Sequence, residues 1–148
     1  MTRNILIVIA DGEHARFVRP AENHALHTVD AFDSTMAHLQ NSDLGDDAPG
    51  ASFHSGSSVH HALNPRHDRH HVEMEKFSRL VANHINEQYR GCDGMVVFAP
   101  SHTLASILGH LAPGIRDRVV GTDHKDLVKV PDSALMPHMA PFRLKLGL

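Results

Sequence analysis

Ile5-Leu6-Ile7-Val8-Ile9-Ala10-Asp11-Gly12 decides the architecture of this 148-residue chain. Six apolar residues in a row, without polar alternation, describe a strand covered on both faces. Such a strand lies at the centre of a sheet. Asp11-Gly12 is a tight-turn dipeptide. Ala15-Arg16-Phe17-Val18 then reads as a second strand ending near Pro20, so the first two strands make an antiparallel hairpin. Glu22-Asn23 turns the chain again. Leu26 to Phe32 reads as a third strand, favoured by Thr28, Val29 and Phe32.

Beyond this meander the character changes. From Ser34 to Pro65 large apolar residues are few, and Gly, Asp and Ser dominate the middle. A loop this long inside a compact domain is usually functional or disordered. It contains no Lys or Arg against Asp43, Asp46 and Asp47, so it is acidic. Asn64-Pro65 marks a helix start. From Asp68 to about Arg90 the period is helical, with Met74, Phe77, Leu80, Val81, His84 and Ile85 on one face. Gly91 is expected to stop this helix as a left-handed C′ glycine. Met95 to Ala99 is a second doubly buried strand. Ser101 is expected to cap a helix carrying Leu104, Ile107, Leu108 and Leu111, which Pro113-Gly114 ends. Arg118 to Thr122 gives a fifth strand, and Asp132 or Ser133 caps a last short helix reaching about His138.

A meander followed by alternating helix and strand makes an α/β protein with a mixed sheet. Right-handed crossovers make the first, fourth and fifth strands parallel neighbours. The resulting strand order, 3-2-1-4-5, is that of the three-layer ribonuclease H-like fold, with helices on the faces of a five-stranded sheet. The expectation is one domain over residues 1–148, with a flexible loop at about 34–65. The third and fifth strands are edges, where a homodimer could form.

Composition narrows the function classes. Lys+Arg number 14 against 17 Asp+Glu, a net charge of -3, which excludes a polycationic nucleic-acid coat. One cysteine, Cys92, excludes an intrachain disulfide and a thiolate zinc site. The longest apolar run is far too short to span a membrane, and the acidic turn after it is the wrong flank for a secretory signal. A cytoplasmic location is expected. The unusual number is 15 histidines: protonating all of them would move the net charge from -3 to +12.

Four segments together resemble the bacterial host attachment protein family. They are Val8 to Phe17; Asp43 to Phe53 with His61-Ala62-Leu63-Asn64-Pro65; Glu75 to Val81; and Phe98-Ala99-Pro100 followed by Val120 through Lys125-Asp126-Leu127. They cover almost the whole chain in order. The resemblance implies a fold shared with the central domain of archaeal and eukaryotic translation release factors. That domain carries a Gly-Gly-Gln loop before a long helix. The equivalent loop here has Gly45, Gly50 and Gly56 but no Gly-Gly-Gln, so peptide release is not implied.

Three chemistries can be weighed on the residues themselves. His67 and His71, four apart on a helix, with Glu75 one turn further, suit a divalent metal. The competing reading is a solvated helix start in a histidine-rich chain. His70 lies closer to the buried face, and His84 is expected to be packed and hydrogen-bonded. Ser101, His102 and Thr103 sit at a helix N-terminus after a parallel strand, a natural anion site, with Lys125 and Asp126 bordering the same edge. A two-metal nuclease would need more carboxylates than Asp11 and Asp30. Cys92 reads as structural.

The leading expectation is a non-enzymatic cytoplasmic binding module. Asp43, Gly45, Asp46, Asp47, Gly50 and Phe53 of the loop would contact an unidentified protein or RNA partner, with the ribosome the candidate. The alternative is a metal-dependent hydrolase or metal sensor at the histidine-rich helix start. Only that alternative implies a cofactor, a divalent metal.

Overall fold

The computed structural model describes residues 3–36 and 65–148, with side chains from residue 69 onward in the second stretch. Three strands come first: β1 (Ile5–Ala10), β2 (His14–Pro20) and β3 (Leu26–Asp33). Helix α1 (Pro65–Gln88), β4 (Gly94–Phe98), α2 (Ser101–His110), the single turn α3 (Pro113–Arg116) and β5 (Val119–Asp123) follow. Two 3-10 segments, Asp132–Ala134 and Met136–Phe142, lead into α4 (Arg143–Leu146). The sheet order is β3-β2-β1-β4-β5. β1 is antiparallel to β2 and parallel to β4, and β4 is parallel to β5. The α/β class, the mixed sheet and its order are therefore as the sequence predicts.

The central strands are buried on both faces. Leu6, Val8 and Ala10 of β1 pack with Phe17, Met95 and Val97 beneath Phe77, Val81 and Ile85 of α1 and Leu104 and Ile107 of α2. Ile5, Ile7 and Ile9 face the other way, joining Val18, Val96 and Phe98 beneath Leu127, Leu135, Met139 and Leu146. Each of these Val, Leu, Ile, Phe and Met side chains contributes about 1.5–3 kcal/mol by leaving water. Gly121 admits the C-terminal segment: a Cβ there would stand 2.4 Å from the Phe142 ring.

Three local expectations are corrected. Helix α1 ends at Gln88, and Gly91 is not its left-handed cap, because among the described glycines only Gly147 has positive φ. Ser101 does not cap α2: it is the first helical residue, Pro100 holds the cap position, and no side chain caps the helix. The last helix is largely 3-10, with Pro137 in the first turn of the second segment and Pro141 inside it, where the missing N–H interrupts an α-helical ladder.

An irregularity in β3 organises the edge of the sheet. Phe17 pairs with Asp30 but Val18 pairs with Thr28, so Val29 is an extra, bulged residue. Side chains two apart in a strand normally share a face. Here the bulge sends Thr28 and Asp30 to opposite faces. Asp30 meets α1, where its Oδ2 lies against His84 Nε2 and accepts the Tyr89 hydroxyl at 3.2 Å. Thr28 meets the C-terminal segment, donating its N–H and hydroxyl to the Asp132 carboxylate. Arg16 completes that contact, donating to Asp132 and to the carbonyls of Leu127, Val128 and Val130. Partial burial pushes the Asp132 carboxyl up, but the Thr28 and Arg16 donors outweigh it and leave the group below its usual range.

Candidate functional site

β1, β3, β4 and β5 all end at one edge of the sheet, because β3 runs parallel to β1 across two antiparallel pairings. Helix α1 starts at this edge, since it returns the chain to the start of β4. At the end of β1 the Asp11 Oδ1 accepts the N–H groups of Glu13 and His14 at 2.8 and 2.6 Å. That carboxylate is spent on the turn, with His14 Nδ1 beside it at 3.2 Å. α1 crosses close above: a Cβ on Gly12 would stand 2.9 Å from Met74 Cγ.

α1 and α2 pack side by side and bring together candidates that the sequence kept in separate sites. His102 of α2 places Nε2 3.7 Å from Glu75 Oε2 of α1, and its ring centroid is 4.6 Å from that of His71. The Ser106 hydroxyl donates to Glu75 Oε1 at 3.3 Å. These cross-helix contacts had no signal in the sequence, because the spacing within one helix does not give the rotation of its neighbour. His70 and His71 are both exposed. Among the described residues no group of three or more His, Cys, Asp or Glu is placed to hold a metal ion. The side chain of His67 lies outside the described ones. So do Asp43, Gly45, Asp46, Asp47, Gly50 and Phe53 of the expected partner loop.

The start of α2 is open. Pro100, with φ -56° and ψ 153°, precedes the helix, and no acidic residue occupies the first turn. Ser101 and His102 are exposed, while Thr103 is 1% exposed and its Oγ1 has no hydrogen-bond partner. The turn is tied to β5, since Ala99 donates its N–H to the Asp123 carbonyl at 3.2 Å. Lys125 Nζ lies 3.8 Å from Asp123 Oδ2. Asp126 instead accepts the Val128 N–H at 3.3 Å, which gives it a turn-forming role. A cleft of about 440 Å³ opens at the opposite edge, between Arg3, Pro20 and His24, and one of about 250 Å³ opens on the carboxyl edge itself, at the end of β3 between His14, Phe32 and Met36.

The other titratable groups serve the fold. His84 is partly buried among Phe17, Phe32 and Tyr89, as expected of a packed histidine, with Asp30 as its polar partner. Burial, then the neighbouring Asp30 carboxylate, pushes the Tyr89 phenol up to about 12. Asp30 is thus held between a histidine and a tyrosine, away from Asp11. Cys92 is fully buried and burial pushes its thiol up, which suits an inert structural cysteine. No helix among the described residues is long and apolar enough to cross a membrane.

None of the curated proteins matches the chain significantly. Residues 6–139 match the family described as proteins required for attachment to host cells, and the chain belongs to that family.

Proposed function

We propose that this chain is a non-enzymatic cytoplasmic binding module that serves attachment to host cells indirectly, by docking RNA or a ribosomal component on the carboxyl edge of its sheet. The observation that carries the reading is the open rim there. Ser101 and His102 are exposed at an uncapped helix start, and β3 ends and α1 begins on the same edge. An exposed rim of polar groups suits contact with a large partner better than enclosure of a small substrate. The carboxylates a nuclease would use are committed to a turn (Asp11) and to α1 (Asp30). The fold shared with release-factor central domains, implied by resemblance, adds support for a translation partner.

Deleting Gly45 to Ser58 tests the reading. The expected result is an RNA- or ribosome-binding signal reduced at least tenfold, with the unfolding midpoint within a few degrees of the parent. Binding that survives the deletion unchanged contradicts a partner surface built on this segment.

A further inference from the structure

We propose that the amino edge of the sheet, opposite the rim described above, is a second contact surface that holds the phosphate backbone of single-stranded RNA; the proposal rests on the RNA reading above. β1, β4 and β5 begin at this edge, and α1 ends there. Arg3 precedes β1 and donates from Nη1 to the Lys145 carbonyl of α4 at 2.6 Å. Its Nη2 reaches the start of β4, 3.3 Å from where a Gly94 Cβ would stand. Arg118 precedes β5, and its carbonyl accepts the Met95 N–H of β4 at 2.9 Å. Its Nη1 donates to the carbonyls of Arg90 and Cys92, each at 2.8 Å. Lys145, Arg3, Arg118 and Arg90 therefore follow one another along the edge, and all are exposed. Only β4 separates β1 from β5, so Arg3 and Arg118 start from strands about 10 Å apart.

This row keeps its charge. Both guanidinium groups are fixed by neutral carbonyls, which orient them without cancelling them. Most of the N–H donors of each stay available to an outside acceptor. Among the described residues, Lys and Arg form ion pairs at Arg16–Asp132, Lys76–Glu73 and Lys125–Asp123, and none of these involves the row. Glu22, Glu87, Asp93 and Asp117 share the edge and weaken its field, but Asp93 is occupied by the Asn4 N–H at 2.7 Å. Guanidinium groups held in place suit phosphate oxygens, which they meet with paired N–H donors. The net charge of -3 excludes a polycationic coat and is compatible with a local row of this kind. An anionic lipid surface is the poorer partner. Leu144, 96% exposed beside Lys145, is a single apolar side chain and not the contiguous patch that a membrane contact needs.

Arg90→Gln and Lys145→Gln test the surface while keeping the fold, since these residues hold Arg118 and Arg3 through backbone carbonyls and not through their side chains. Arg79→Gln is the control: it removes the same charge from an exposed position in the middle of α1. A labelled single-stranded RNA oligonucleotide is titrated with the full chain over a series of salt concentrations. Each row variant should bind about fivefold more weakly at about 0.1 M salt, and its slope of log affinity against log salt should be shallower by about 0.7, as for one lost phosphate contact on a single strand. Arg79→Gln should bind like the parent. An unchanged slope in both row variants, or an equal loss in Arg79→Gln, overturns the surface. In that case the carboxyl-edge reading stands if deleting Gly45 to Ser58 still weakens RNA binding. Row variants that weaken a binding untouched by that deletion support the surface and remove the carboxyl-edge reading. Absence of RNA binding, whether or not the chain binds anionic phospholipid vesicles, overturns the surface.

Discussion

Asp132 shows how a single carboxylate joins two ends of the chain. It receives Thr28 and Arg16 from the sheet while belonging to the C-terminal segment. Those donors hold its pKa below the unfolded value of about 3.9, so in the window between the two values the unfolded chain binds more protons. The stability this group contributes is complete above about pH 4 and is lost as pH falls through the folded value. Asp132→Asn should therefore flatten the acid limb of a plot of stability against pH. At neutral pH it should cost about 1 kcal/mol, a modest figure because the group is partly exposed. Denaturant melts from pH 2 to 7 check this, and parallel curves for the two proteins would contradict it. Nothing in the sequence near Asp132 pointed to this role, since its partners lie more than a hundred residues away. Asp11 was legible, because an aspartate before a glycine already suggests the turn it forms.

The strands and long helices were legible as elements because their signals are local. Ile5–Ala10 is apolar at every position and is buried at every position. The helical period of their apolar residues placed α1 and α2 within a few residues of where they lie. Cap and turn details were less legible, because a proline before Ser101 and two prolines after Leu135 override the propensities of their neighbours. The bulge at Val29 was invisible, since bulge placement depends on the partner strand. It nevertheless governs the sheet edge. Deleting Val29 should restore strict alternation and force either Thr28 away from Asp132 or Asp30 away from His84. The expected loss is about 1–3 kcal/mol in urea unfolding, the usual cost of leaving a hydrogen-bonding group unsatisfied. A deletion variant as stable as the parent would mean that the two contacts do not depend on the bulge.

At the scale of the molecule, one face of the sheet is covered by α1 and α2 and the other by the chain after β5. Among the described residues, β3 and β5 are the edge strands of the sheet. Family membership and strand order were readable because ordered motifs and hydrophobic runs survive without any knowledge of contacts. The meeting of His71, Glu75 and His102 was not readable, since it depends on how two helices settle on a sheet. The proposed docking of RNA or a ribosomal component on the carboxyl rim is open to a direct test. The most direct measurement is co-sedimentation of the untagged protein with ribosomes from its native lysate, at low and high salt. Docking on the rim should give co-migration with ribosomal particles at low salt that is released at high salt, because phosphate contacts are weakened by competing ions. Recovery only in the light fractions at both salt concentrations would contradict it.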